Sequence, residues 1–355
     1  IEEKRLLHMS LGNIKSYEHY DKLLPELYKK QIYDREATQL HGKTITAMQL
    51  RVSDRSNFLK DFQRILLRME ELWTISSSSV IFHKFHMLRI LYLEQNGNYT
   101  EIVKVIANAE QLLFQKAINP HWFNKRFNSY VYVYALLQSR QYEQGLKLAN
   151  EYLSLFREYS TNWFGFMENF VLLAMHSKNY AKAAQLLLKA TVGSQFEKLP
   201  GSSRERWELY RRFFLFMHSA CSNARLYKVP PEVSNNLILL PKDKAGFNLS
   251  LLVLEILEGL AEGKFEDLEL QADRVRKYTA KYLKGEKAER PRLFMRMLQL
   301  ALKGKNMDVV HQQGSKMLQK LQETPLPGDA FAEVEIVPYE HLWEVALHLL
   351  EKQKA

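Results

Sequence analysis

The sequence predicts an all-α protein of stacked antiparallel helix pairs, on three observations. Glycine and proline are scarce, at 14 and 10 of 355 residues, and usage below average argues against a turn-rich β-fold. The hydrophobic fraction of 46% is ample for a core and far too high for a disordered chain. One pattern also recurs along the chain: an aromatic-rich apolar helix, a short polar break, then a large residue opening a second helix. Units of this kind cannot bury their own apolar faces, so neighbours must stack and share one elongated core.

In chain order, helices are expected at about 12–31, 34–50 and 56–75, an N-terminal helical segment spanning residues 1–75. The run Ser76-Ser77-Ser78-Ser79 marks its end and supplies N-cap side chains for the next helix. The repeat region, 76–323, should hold helices at 79–95, 99–116, 121–139, 141–158, 162–177, 180–191, 203–224, 247–262, 264–284, 289–303 and 306–323. Residues 228–246 carry Pro230, Pro231 and Pro241 and read as a long irregular connection, more often functional or partner-docked than idle. Residues 324–355 read as an acidic linker, with Pro325, Pro327, Gly328 and an extended Val334-Glu335-Ile336-Val337, followed by a helix at 338–353. That helix carries Trp343 and Val345-Ala346-Leu347, and is expected to cap the array, whose open end would otherwise expose apolar surface.

Five breaks carry the repeat. They read Gln95-Asn96-Gly97-Asn98-Tyr99, Ser139-Arg140-Gln141-Tyr142, Ser177-Lys178-Asn179-Tyr180, Glu262-Gly263-Lys264-Phe265 and Lys303-Gly304-Lys305-Asn306-Met307. The anchors that end them lie 43, 38, 85 and 42 residues apart, a period near forty if the long interval spans two units. Four and seven residues beyond the first three anchors stand Val103 and Ile106, Leu146 and Ala149, then Ala184 and Leu187. That spacing puts each pair on the helix face that meets the preceding helix. Asn179-Tyr180-Ala181-Lys182-Ala183-Ala184 and Gln141-Tyr142-Glu143-Gln144-Gly145-Leu146 resemble the start of the second helix of a tetratricopeptide (TPR) repeat. The resemblance covers roughly residues 79–320, at a period longer than that family's 34 residues. It implies a TPR-like α-solenoid with a period of about 38–43 residues, its first helices lining a concave face. The C-terminal stretch, with Arg276-Lys277-Tyr278, Lys281-Tyr282-Leu283 and Ile336-Val337-Pro338-Tyr339-Glu340, also resembles uncharacterised helical proteins of Bacteroidetes-type bacteria, a likeness that implies no activity.

Signals for catalysis are missing. There is no Gly-x-x-x-x-Gly-Lys, Gly-x-Gly-x-x-Gly or Gly-x-Ser-x-Gly motif. One cysteine, Cys221, excludes an internal disulfide framework and a multi-cysteine metal site, and it follows an apolar helix as a buried thiol would. His83 and His86 stand three apart but lack the glutamate and spacing of a zincin, and read as helix-surface or boundary histidines. No cofactor, metal or enzymatic activity is expected. The chain starts Ile1-Glu2-Glu3 without methionine, so further residues upstream are expected. No signal-peptide core follows, and no window reaches eighteen uninterrupted apolar residues; no membrane span and a cytoplasmic location are expected.

The net charge of +10 is unevenly placed. Residues 274–305 hold eleven Lys or Arg against Glu286 and Glu289, a net +9 in 32 residues. Residues 323–344 hold six carboxylates and no Lys or Arg. At 100° per residue, Arg274, Lys277, Lys281 and Lys284 fall within an 80° arc, with Tyr278 at its border and Val275 and Ala272 on the opposite, packed side. Three readings stay open: a solvated lysine-rich face, pairing with the acidic segment, and a polyanion or acidic-partner site with Tyr278 available for stacking. A second surface is expected on the concave side, where Trp122, Phe127, Tyr130, Tyr134, Trp163 and Phe166 would meet a partner. The helix with Trp207, Tyr210, Phe214 and Met217 reads instead as a core stripe flanked by Arg204 and Arg211. The function that follows is a non-enzymatic protein–protein interaction scaffold. Its alternatives are a nucleic-acid-binding or regulatory protein using residues 274–305, and a peptide or small-ligand receptor of the TPR-type regulator kind.

Overall fold

The computed structural model describes residues 1–49, 55–220, 247–263, 268–283, 288–303, 306–324 and 335–354. The expected connection 228–246, Cys221, Phe265, Lys284, Gly304, the linker prolines and Val334 lie outside the described residues. Among the described residues the chain forms sixteen α-helices and no strand, so the protein is all-α. It folds as two compact units, Ile1–Asn128 and Ser129–Ala355.

The first unit contains α1 (Glu2–Ser10), α2 (Ile14–Gln49), α3 (Arg55–Ser76), α4 (Ser79–Gln95), α5 (Tyr99–Phe114) and a short 3₁₀ turn, Pro120–Trp122. The two helices expected at 12–31 and 34–50 are one helix of 36 residues. Positions 32 and 33 hold no breaker, and Pro25 removes one N–H donor from the helix without ending it. The core joins Ala37 of α2, Phe62, Met69 and Leu72 of α3, and Ile81, Phe85 and Leu88 of α4. α1 has no counterpart among the expected helices, and it buries no side chain.

α6 (Lys125–Gln138) starts in the first unit and ends in the second. The second unit continues with α7 (Tyr142–Tyr152), α8 (Thr161–His176), α9 (Tyr180–Thr191), the one-turn α10 (Ser194–Glu197), α11 (Gly201–Ala220), α12 (Phe247–Ala261), α13 (Leu268–Tyr282), α14 (Glu289–Lys303), α15 (Met307–Glu323) and α16 (Tyr339–Lys354). Each of α7, α8 and α9 packs on the next helix or on α11, and α13, α14 and α15 pack in succession. One continuous apolar core runs through the unit, from Val133 to Leu350. The expected core stripe is there, with Trp207, Tyr210, Phe214 and Met217 all buried.

The breaks share a turn. Gly97, Arg140, Lys178 and Gly263, each two residues before its anchor, adopt left-handed φ values of 68°, 61°, 58° and 69°. At three of them the following residue donates back five positions, Asn98 to Leu93 O, Gln141 to Leu136 O and Asn179 to Ala174 O, each at 2.9 Å. This doubly bonded helix ending satisfies carbonyls that the last turn leaves unpaired. Asn98 and Asn179 then accept from the N–H of Glu101 and Lys182 through Oδ1, starting the next helix. Side chains seldom tolerate left-handed φ, at a cost of about 1–2 kcal/mol, so a basic residue at 140 and 178 calls for a reason.

α16 supplies it. This helix packs on α14 and α15, as an end cap would, and also on α12 and α11. Arg140 pairs with Glu340 at 3.2 Å and Lys178 with Glu344 at 2.7 Å. The C-terminal helix therefore runs back along the second unit, and the two left-handed basic residues hold it at its polar edge. Close packing secures the other side: a Cβ on Gly314 of α15 would stand 2.5 Å from Trp343 Cζ2. Residues 335–338, just before α16, are irregular rather than a strand, and Glu335, Ile336 and Val337 are all buried.

Candidate functional site

The net +9 block divides into an exposed part and a buried part. Arg274, Lys277 and Lys281 of α13 are exposed, and Tyr278 is half-buried against the core. Among the described residues two local carboxylates pair with this face. Arg274 lies 3.4 Å from Glu255 of α12, while Asp273 takes Lys277 at 2.9 Å and Arg276 at 2.5 Å. The hydrogen bonds from Lys277 and Arg276 hold the Asp273 carboxyl below the usual carboxylate range. Asp273 stands one position before the basic block begins, so a count started at Arg274 misses its main local counter-charge.

Arg290 is the buried part, 1% exposed at the start of α14. Its Nε donates to Glu335 Oε1 at 2.6 Å and Nη2 to Glu335 Oε2 at 3.0 Å. Nη2 also reaches both carboxylate oxygens of Glu340 at 3.0 Å, and Nη1 donates to the carbonyls of Leu321 and Thr324 at the end of α15. Burial works to lower the Arg290 pKa, but the hydrogen bonds and charges of Glu335 and Glu340 outweigh it and raise it. Glu335 accepts in addition from the N–H of Tyr339, the first residue of α16. With Arg140 on Glu340, two cations meet two carboxylates, and the fork of Arg290 spends its donors on two chain segments at once.

His176 completes this clamp. Its Nε2 donates to the carbonyl of Glu335, which satisfies a backbone oxygen of a buried irregular segment. Burial pushes the imidazole pKa down to about 4 against the pull of that hydrogen bond. Nδ1 is buried without a partner among the described residues, so a second proton there would be a charge without a ligand. Tyr142 packs edge-on against the ring at 5.4 Å, and burial raises its hydroxyl to about 12.

Among the described residues, the carboxylates of the acidic segment are engaged away from α13; Asp329 and Glu333 lie outside the described residues. Glu335, Glu340 and Glu344 engage Arg290, Arg140 and Lys178, and Glu323 accepts from Gln319. What lies open is a cleft of about 460 Å³ between α13 and α14. Arg276, Thr279, Ala280 and Leu283 line it from α13; Arg292, Arg296 and Gln299 line it from α14. Both sets follow helical spacing, one face from each helix.

The aromatic set separates by burial. Trp122 and Tyr130 are 39% and 37% exposed, and Phe127 and Tyr134 are half-buried. Trp163 and Phe166 are wholly buried, packed against Phe164 and Phe156, so they belong to the core and not to a binding face. Every turn of α8 from Trp163 to His176 buries side chains around its circumference, which an aromatic count alone cannot distinguish from a lined groove. His86 is likewise no surface residue. Its Nε2 donates to Asn128 Oδ1 at 2.6 Å in a buried site, and burial lowers its pKa to about 4. Among the described residues no three His, Cys, Asp or Glu are grouped to hold a metal ion, and no helix is long and apolar enough to cross a membrane.

Sequence reasoning missed the cleft because a helical wheel of α13 ranks Arg276 away from the basic arc, and gives no sign that α14 brings Arg292 and Arg296 opposite it. The i, i+4 spacing of those two arginines was the available signal. Comparison with protein-family models, with curated proteins and with solved structures finds no match for this chain.

Proposed function

We propose that this protein is a non-enzymatic protein–protein interaction scaffold, built as a TPR-like α-solenoid over residues 76–323. The shared left-handed turn at Gly97, Arg140, Lys178 and Gly263 supports the repeat reading. The observation that carries the scaffold reading is the apolar surface of the N-terminal hairpin. Leu6, Leu7, Met9 and Leu11 of α1 and its turn, with Ile14 and Ile32 of α2, are 46–69% exposed. Large apolar side chains left exposed along one helical hairpin favour an interaction site, and α1 puts none of its side chains into the protein's own core.

The test is co-purification of the Leu7→Glu/Leu11→Glu/Ile14→Glu variant against the unaltered chain, with nuclease treatment of both. A bound protein that survives nuclease and is lost in the variant, at unchanged helicity by circular dichroism, is the expected result. Retention of every bound protein by the variant contradicts the reading, as does loss of the bound material on nuclease treatment.

A further inference from the structure

The geometry points to a ligand site that does not depend on the scaffold reading: the α13–α14 cleft binds a phosphate monoester. Three arginines line the cleft from two helices, Arg276 on one wall and Arg292 and Arg296 on the other. Among the described residues neither Arg292 nor Arg296 pairs with a carboxylate, whereas Arg290 on the same helix pairs with two. Like charges repel in a confined space, so an assembly of this kind is completed by an anion. Arg292 is already oriented, since its Nη1 donates to the carbonyl of Leu283 at 3.4 Å. Arg276 is held by Asp273 through Nη2, which leaves its Nε and Nη1 for a ligand.

The shape and lining select the class of anion. A volume of about 460 Å³ falls within the range of small-ligand sites. Guanidinium forks match the oxygens of a phosphate dianion two at a time. Gln299 adds an amide donor, and the methyl of Thr279, Ala280 and Leu283 give an apolar side for the carbon skeleton of an ester. Among the described residues no aromatic ring lines the cleft, which offers a nucleobase no stacking surface there. The arc of Arg274, Lys277 and Lys281, bordered by Tyr278, lies on another face of α13, which makes nucleic acid there a separate and distinguishable outcome.

Titration calorimetry at low salt tests the assignment, with four probes: inorganic phosphate, a phosphoserine peptide, its unphosphorylated twin, and single-stranded RNA. Inorganic phosphate and the phosphopeptide should bind, and the unphosphorylated twin should not. Arg296→Gln, at an exposed position with no hydrogen bond or ion pair among the described residues, should weaken both at least tenfold. The variant Arg274→Gln/Lys277→Gln/Lys281→Gln should change them less than threefold. A phosphopeptide that binds tenfold more tightly than inorganic phosphate identifies a protein-borne monoester; equal affinities identify a small phosphorylated molecule. Either supports the site. No heat with any phosphate, or binding undiminished in Arg296→Gln, overturns it. RNA binding that is lost in the triple variant and indifferent to Arg296→Gln also overturns it, in favour of a nucleic-acid face on the basic arc.

Discussion

Arg290 and Arg296 are six residues apart on one helix, α14, and live in opposite electrostatic circumstances. Arg290 is buried and spends its donors on Glu335, Glu340 and two carbonyls. Arg296 is exposed in a cleft walled by two other arginines. The residue type is the same, and so is the stretch of sequence. What differs is which partners the rest of the chain delivers. Among the described residues, Glu335 and α16 carry carboxylates to Arg290 and to the turns at Arg140 and Lys178, and none reaches Arg292 or Arg296. A local charge count therefore sums two quantities with different meanings: cations that hold the fold together, and cations left for a ligand.

The largest expected effect breaks the buried side of this contrast. Arg290→Met should destabilise the protein by about 3–5 kcal/mol, because it leaves the buried Glu335 without a cation and Glu340 with Arg140 alone. Urea unfolding measures it. Replacing Arg290, Glu335 and Glu340 together by apolar residues should recover much of that loss, since the penalty belongs to the orphaned charge rather than to the missing pair.

Acid should loosen the same region. The unfolded chain protonates His176 near pH 6.5, whereas the buried imidazole resists until about pH 4. The unfolded state therefore binds more protons in that window. The contribution of His176 is complete above about pH 6.5 and is lost as the pH falls toward 4, at roughly 3 kcal/mol in all. His86 carries the same dependence within the first unit. His176→Gln, which retains a donor for the Glu335 carbonyl, should flatten the part of the pH profile that His176 supplies and leave that of His86. A profile of unchanged slope would contradict the assignment.

Much of this architecture is legible in the sequence, and the exceptions have particular causes. Most described helix starts from Ser79 to Met307 fall within a few residues of expectation because capping residues and breaks announce them: Asn98, Asn179 and Asn306 each accept a backbone hydrogen bond at a helix start. The helix expected at 141–158 instead ends at Tyr152 and passes into a 3₁₀ turn, Leu153–Leu155. Pro25 is a breaker by reputation that an uninterrupted helix absorbs. Trp163 and Phe166 mislead because aromatic content reports apolarity without reporting direction. Burial of Arg290 is invisible from its own neighbourhood, since its partner Glu335 lies 45 residues away. The cleft needs two helices, and periodicity reads one at a time.

Smaller effects sharpen how α16 is held. Gly314→Ala drives a methyl group into the rigid indole of Trp343 and should cost about 1–3 kcal/mol. Gly145→Ala meets the flexible end of Leu173 at 2.6 Å, and its better helix propensity offsets part of the strain, so a smaller loss is expected. Thermal unfolding of the pair ranks them. Lys178→Gly is the smallest test. It relieves a left-handed φ of 58° and gives up one exposed ion pair with Glu344, so stability should rise by up to about 1 kcal/mol. A clear loss instead would mean that the Lys178 pair holds α16 more strongly than an exposed pair can.

The division of the basic block is tested most directly by the unfolding free energies of Arg290→Met and Arg296→Met, measured side by side in urea at neutral pH. Arg290→Met should lose about 3 kcal/mol or more, and Arg296→Met should stay within about 0.5 kcal/mol of the unaltered protein. Equal losses in the two variants, or a larger loss at Arg296, would contradict the account.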